Sequence, residues 1–137
     1  MSEYIRKVNY HETDKMGITH HSNYIKWLEE ARIDYLEKIG CSYAKLEKDG
    51  IISPVISLEC AYKRPTTFGD TVRINVEIEE FKRMELIFKY EITNTSTGEL
   101  VFTGRTHHCF TNEHGMPIAL KRSFPELDAL LKSLVKE

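Results

Sequence analysis

Residues Val8 to Gly40 read VNYHETDKMGITHHSNYIKWLEEARIDYLEKIG, and this stretch decides the fold. Apolar side chains recur in its second half at steps of four, three and four, at Tyr24, Leu28, Ala31 and Tyr35. This period places them on one side of a helix. Three more apolar positions widen the stripe until it covers nearly the whole circumference: Ile25, Leu36 and Ile39. A helix of this kind is predicted to be wrapped by the rest of the chain, and Gly40 suits a left-handed cap at its end.

A polar loop, which begins at Asp14 with the letters DKMGITHH, precedes this helix. Gly17 permits a backbone turn that other residues resist, and Asp14, His20 and His21 are potential proton carriers. The unpaired N–H groups and the positive end of the helix dipole follow a few residues later. Taken alone, the residues favour a turn or cap role for Asp14 over a catalytic one.

The second half of the sequence is β in character. A short strand is predicted from Tyr4 to Tyr10, and the later extended segments are 51–64, 71–79, 84–92 and 100–110. The segment from Thr71 alternates most cleanly, with Val72, Ile74, Val76 and Ile78 on one face. Because the last three segments are joined by short turns, we expect an antiparallel meander.

Two further helices complete an α+β pattern. A short helix is predicted from Tyr43 to Asp49, with Ser42 as its N-cap. The C-terminal residues form an amphipathic helix in which Ser123 and Glu126 make a capping box. Since sheet twist lets strands curl around a helix, we expect a curved antiparallel sheet around the long central helix, in a single domain spanning residues 1–137.

Composition excludes several classes of function. The formal net charge is −2 and no basic block appears, so no nucleic-acid partner is expected. Because the N-terminus is polar, no signal peptide is expected, and because no apolar run is long enough to span a membrane, no membrane insertion is expected. Cys41, Cys60 and Cys109 are far apart and lack metal-like spacing, which favours reduced, buried thiols in a cytoplasmic protein. No metal and no cofactor are implied, because His11 lacks further ligands and nucleotide-binding or serine-hydrolase motifs are absent.

The order of strand, Asp-containing loop, central helix and long antiparallel sheet resembles the hotdog fold. The segment DKMGITHHSNYIKWLEEAR is similar to the signature of the 4-hydroxybenzoyl-CoA thioesterase family of acyl-CoA thioesterases. The matching features are its aspartate, the glycine three residues later, the histidine at the seventh position and an E-x-x-R on the helix. A second similarity is YKRPTTFGDTVRI, which matches the family's strand-turn-strand after the helix. The resemblance spans essentially the whole chain and favours catalysis by Asp14.

The resemblance implies hydrolysis of a small to medium acyl- or aroyl-CoA, with Asp14 either attacking the carbonyl or activating water. It nominates the amide of His21 as the donor to the carbonyl oxygen. Expected substrate-binding residues are Gly17, His20, Asn23, Tyr24, Lys63 and Arg64. Tyr24 is more simply a core residue, and cations such as Lys63 and Arg64 are more often solvated than bound to phosphate. Lys15 and Met16 replace a smaller pair that is common in the family, so the resemblance does not determine the shape of the acyl pocket.

The resemblance also implies a homodimer or homotetramer with active sites at the subunit boundary, and an exposed sheet edge favours the same expectation. The sequence is also compatible with two other functions. One is a hotdog enoyl-thioester hydratase or dehydratase, which would need an acid and a base flanking the Cα–Cβ bond. The other is a non-catalytic acyl-CoA-binding module.

Overall fold

A computed structural model describes residues 2–135 of the chain and gives an α+β architecture. In chain order its elements are β1 (Ser2–Lys7), a 3-10 turn (Tyr10–Glu12), α1 (Ser22–Lys38), α2 (Tyr43–Lys48), β2 (Val55–Tyr62), β3 (Thr71–Lys82), β4 (Glu85–Asn94), β5 (Leu100–Cys109), α3 (Leu120–Ser123) and α4 (Pro125–Leu134). The strands form one five-stranded sheet in the order β1-β3-β4-β5-β2. None of the helices in this part of the chain is both long and apolar enough to cross a membrane.

Helix α1 carries the predicted apolar stripe on one face only. Its buried apolar residues are Tyr24, Trp27, Leu28, Ala31, Tyr35 and Leu36, and the polar residues Asn23 and Arg32 are buried as well. The expectation of a helix apolar on nearly all sides is wrong, because Lys26, Glu29 and Glu37 are exposed on the opposite face. Beyond its end Gly40 adopts φ +83°, and the Cys41 N–H donates to the Leu36 carbonyl at 2.8 Å. The predicted left-handed cap is therefore confirmed.

The sheet has the expected alternation and an apolar edge. Val72, Ile74, Val76 and Ile78 of β3 are fully buried, as predicted, and β1 pairs antiparallel with β3. Strand β3 continues to Lys82, beyond the turn predicted at 81–83, and Arg83 turns the chain with φ +54°. Strand β2 stands at the sheet edge, and nearly all of its side chains are exposed.

Two compact units are distinguished within the fold. One comprises residues up to Tyr35 together with 60–76 and 90–104, and it holds β1, the Asp14 loop and most of α1. In it Tyr24 stacks on Phe102 with the ring centroids 5.3 Å apart. The other comprises 36–59, 77–89 and the chain from Arg105, and it holds α2, α3 and α4. In it His108 is buried against Phe88.

Three local predictions are wrong. Strand β1 ends at Lys7, and a 3-10 turn over Tyr10–Glu12 replaces the rest of the predicted strand. Ser123 ends α3 rather than capping α4, whose N-cap is Phe124 without a side-chain hydrogen bond. All three cysteines are free, as expected, but Cys60 is exposed and only Cys41 is fully buried.

Candidate functional site

The loop before α1 is a small hairpin. Its two arms are joined by hydrogen bonds from the Asp14 N–H to the Ile18 carbonyl (2.9 Å) and from the His20 N–H to the Glu12 carbonyl (2.8 Å). Gly17 forms the tip with φ +79°, a conformation that residues with a Cβ rarely adopt. The hairpin therefore fixes Asp14 opposite Ile18 in the segment that leads directly into α1, and the turn predicted for Gly17 is confirmed.

The Asp14 carboxylate is half-buried and only partly engaged. Its Oδ1 accepts a hydrogen bond from the Met16 N–H at 2.8 Å, which closes an Asx turn. Within residues 2–135 no group pairs with its second oxygen, Oδ2. One oxygen thus fixes the side chain in the loop, while the other remains available to a substrate or a water molecule.

The start of α1 presents a backbone donor next to two histidines. The ring Nδ1 of His20 accepts from the Ser22 N–H at 3.2 Å and so caps the helix. The His21 ring stacks on that of His20 with centroids 4.3 Å apart. In the part of the chain described, the His21 N–H has no hydrogen-bond acceptor. This N–H is therefore free to bind an oxygen that gains negative charge.

Tyr62, at the end of β2, is a residue that the sequence did not single out. Its hydroxyl donates to the His21 carbonyl at 3.1 Å, and its ring packs edge-on against Tyr24 and Phe102. Burial raises the pKa of the Tyr62 hydroxyl, and the neighbouring Cys60 thiol raises it further. Because Tyr62 and His21 are 41 residues apart, neither periodicity nor local motif spacing predicts this contact.

Asn23 and Tyr24 are buried, at 8% and 3% exposure. The Asn23 side-chain amide donates to the Glu12 carbonyl at 2.9 Å, and the Tyr24 hydroxyl lies 3.0 Å from Thr66 Oγ1. Both polar groups are therefore engaged with the protein, in line with the core role considered for Tyr24.

The two predicted phosphate ligands follow β2. Both Lys63 and Arg64 are exposed, and the Arg64 guanidinium pairs with Glu99 at 2.8 Å. The Lys63 N–H donates to the Val101 carbonyl at 2.8 Å, which fixes its backbone and leaves its ammonium group in solvent. No cluster of three or more residues suited to hold a metal ion occurs among residues 2–135.

This geometry suits attack on a polarised carbonyl. The Asp14 carboxylate, with one oxygen unpaired among the described residues, lies on the hairpin, and the free His21 N–H follows the hairpin directly at the start of α1. A carbonyl carbon could meet a base or nucleophile in the first group while its oxygen meets a donor in the second. The positive end of the α1 dipole adds to this stabilisation. The arrangement uses only groups of the loop and of the residue that directly precedes α1.

Comparison with known proteins identifies the family. A family model of the thioesterase-like superfamily matches residues 8–131. YneP of Bacillus subtilis (strain 168), which carries a provisional acyl-CoA thioesterase name, is 35% identical over 121 residues, covering 88% of this chain and 87% of its own. The crystal structure of a DHNA-CoA thioesterase from Staphylococcus aureus superposes with a TM-score of 0.91 at 40% identity, covering 96% of this chain and 89% of that one. The gentisyl-coenzyme A thioesterase BH1999 superposes with a TM-score of 0.82 at 26% identity, covering 90% and 99%.

These matches confirm the fold class and the type of enzyme. The chain has the α+β hotdog fold that the sequence resemblance implied, and the three relatives described above are named as thioesterases acting on coenzyme A thioesters. The protein is accordingly a thioester hydrolase, and the chain belongs to the thioesterase-like superfamily.

Proposed function

We propose that this protein hydrolyses a small to medium acyl- or aroyl-CoA to the free acid and coenzyme A, with Asp14 as the essential carboxylate. The observation that carries the proposal is an Asp14 carboxylate on the hairpin with one oxygen unpaired within residues 2–135, followed directly at the start of α1 by the free N–H of His21. Relatives named for DHNA-CoA and gentisyl-coenzyme A support an aromatic acyl group.

Two routes use the same groups. In the first, Asp14 Oδ2 attacks the thioester carbonyl, the thiolate of coenzyme A leaves, and water then hydrolyses the resulting mixed anhydride. In the second, Asp14 takes a proton from a water molecule as that water attacks the carbonyl. In both routes the His21 N–H stabilises the oxyanion, so both depend on the same geometry.

The remaining predicted residues take different places in the proposal. Gly17 and His20 shape the loop and the helix cap, and Asn23 and Tyr24 support it from within. Lys63 is a candidate ligand for the coenzyme A phosphates because its ammonium group is exposed. Arg64 would first have to release Glu99. We expect Lys63→Gln to raise KM for coenzyme A thioesters several-fold and to leave KM for the matching N-acetylcysteamine thioesters unchanged.

A homodimer or homotetramer is part of the proposal. The edge strand β2 exposes Val55, Ile56, Leu58 and Tyr62 at 48%, 56%, 39% and 48%. An apolar, unpaired strand edge is normally covered, and a second copy can cover it by continuing the sheet. Light scattering of the wild type and of Ile56→Lys tests this: we expect a dimer or tetramer for the wild type and a smaller species for the variant.

The test of the reaction is release of thiol from a panel of alkanoyl- and aroyl-CoAs, followed with a thiol reagent. Asp14→Asn keeps the oxygen that accepts from Met16, so the loop should keep its shape. We expect kcat to fall by at least 100-fold, the range over which a positioned acid or base acts. Asp49→Asn, which changes an exposed aspartate at the end of α2, is the matched control and should retain the wild-type rate. A blank without substrate corrects for the exposed Cys60.

The outcomes separate the proposal from the two other functions. Equal rates for the wild type and Asp14→Asn would remove Asp14 from the mechanism. Binding of acyl-CoA without thiol release would indicate a non-catalytic module. A change in enoyl absorbance without thiol release would indicate a hydratase or dehydratase.

A further inference from the structure

Glu12, two residues before Asp14, is a buried acid with no role in the chemistry described above. It is 5% exposed, and its carboxylate accepts three hydrogen bonds. The donors are Arg6 Nη1 at 2.6 Å and the Asn9 N–H at 2.8 Å to Oε1, and Trp27 Nε1 at 2.8 Å to Oε2. These contacts join strand β1, the turn before the loop and helix α1 through one side chain.

The backbone of the same residue holds the other side of the hairpin. Its carbonyl accepts from the His20 N–H at 2.8 Å and from the Asn23 amide at 2.9 Å. His20 directly precedes His21, and Asn23 lies in the first turn of α1. One residue therefore fixes the stem of the loop that carries Asp14 and the start of the helix that offers the His21 N–H.

Hydrogen-bond donors outside the loop stabilise the ionised form of Glu12. Burial by itself raises the pKa of this carboxyl, but hydrogen bonds from Arg6, Trp27 and Asn9 outweigh burial and hold the pKa below its ordinary value. Arg6 is held in turn by Glu30 at 3.0 Å and lies over the Trp27 ring, 4.9 Å from its centroid. The carboxylate is thus ionised at neutral pH and bound by fixed donors.

We propose that Glu12 is a positioning residue that sets the geometry between the Asp14 carboxylate and the free N–H of His21. The proposal rests on the proposed function. Because loop and helix are joined through Glu12, loss of its carboxylate lets Asp14 and His21 move relative to each other. Misplacement by about 1 Å of groups that must act on one carbonyl can cost about 100-fold in rate. Glu12 touches no reacting atom, so substrate affinity should hardly change.

The experiment compares Glu12→Gln with Glu30→Gln. The first substitution keeps the side-chain shape but turns one acceptor oxygen into an NH₂ group that faces Arg6 or Trp27. The second removes the charge of the other carboxylate bound by Arg6, but the oxygen of the new amide, like that of Glu30, can accept from Arg6 Nε. Arg6 therefore stays in place for Glu12, and Glu30→Gln is a matched control. With an aroyl-CoA, measured well below the melting temperature of each protein, we expect kcat to fall about 30- to 100-fold in Glu12→Gln with KM within about 2-fold of the wild-type value. Glu30→Gln should stay within about 2-fold of the wild type in both constants.

A purely structural role predicts a different result. In that case Glu12→Gln would lower the melting temperature and leave kcat of the folded protein unchanged, which would overturn the proposal. A rise in KM at constant kcat would overturn it as well. If the variant does not fold, Trp27→Phe removes the donor to Oε2 together with part of a fully buried ring. Measured well below the melting temperature of this variant, kcat should fall about 3- to 10-fold, and an unchanged kcat refutes the inference. An inactive wild type would instead refute the proposed function, so the two failures can be told apart.

Discussion

Replacing Thr66 by valine removes one buried hydroxyl and changes the side-chain volume little. Thr66 is fully buried, and its Oγ1 lies 2.6 Å from Thr19 Oγ1 and 3.0 Å from the Tyr24 hydroxyl. Thr19 Oγ1 keeps a second partner after the change, since it also donates to the Thr66 carbonyl at 3.2 Å. Among residues 2–135 the Tyr24 hydroxyl has no second hydrogen-bond partner. Most of the loss in stability should therefore come from leaving this hydroxyl unpaired.

The magnitude follows from these contacts. A neutral hydrogen bond contributes about 0.5–1.5 kcal/mol, and a buried hydroxyl left without a partner costs about 1–3 kcal/mol. We therefore expect Thr66→Val to lower the free energy of unfolding by about 2–3 kcal/mol, which corresponds to a fall of roughly 6–12 °C in melting temperature for a domain of this size. Tyr24→Phe removes the partner as well as the bond and should cost only about 1 kcal/mol.

Urea denaturation followed by circular dichroism measures these values. All proteins should be compared at one concentration, because self-association would make stability depend on it. In a double-mutant cycle, Thr66→Val combined with Tyr24→Phe should cost less than the sum of the single changes, with a coupling of about 1 kcal/mol. A Thr66→Val protein within about 0.5 kcal/mol of the wild type would refute the reasoning. So would a Tyr24→Phe protein that keeps its stability but shows a raised KM, because the hydroxyl would then serve the substrate rather than the core.

Two more predictions concern the cap at the end of α1 and the ion pair of His107. Gly40→Ala should lower the free energy of unfolding by about 1 kcal/mol, because φ +83° strains a residue with a Cβ. Urea denaturation measures this loss, and a gain in stability would contradict the assignment of the cap. A hydrogen bond to Glu85 raises the pKa of His107, so its stabilisation is complete below the unfolded pKa of about 6.5 and is lost as pH rises through the folded pKa. His107→Gln should accordingly lower the melting temperature at pH 6 but not at pH 9, and equal losses at both would argue against an ionic contribution from His107.

Helix α1 and strand β3 could be predicted from the sequence, because buried side chains recur along them at the period of a helix or of a strand. Tyr24, Leu28, Ala31 and Tyr35 are buried at helical spacing, and alternate residues of β3 are buried at strand spacing. The predicted capping box failed for an equally local reason. Phe124 precedes a proline, which disfavours helical geometry at that position, so α3 ends at Ser123 and α4 starts anew at Pro125.

The environment of each candidate site residue was decided by the tertiary structure. The sequence indicated Asp14 and His21 through a resemblance to a known family. It could not show that the Tyr62 hydroxyl donates to the His21 carbonyl or that Thr66 Oγ1 hydrogen-bonds to the Tyr24 hydroxyl. Nor could it show that Glu12 is bound by Arg6 and Trp27. Such partners come from different strands and helices, and their meeting depends on how those elements pack, whereas periodicity reports only which face of each element is buried.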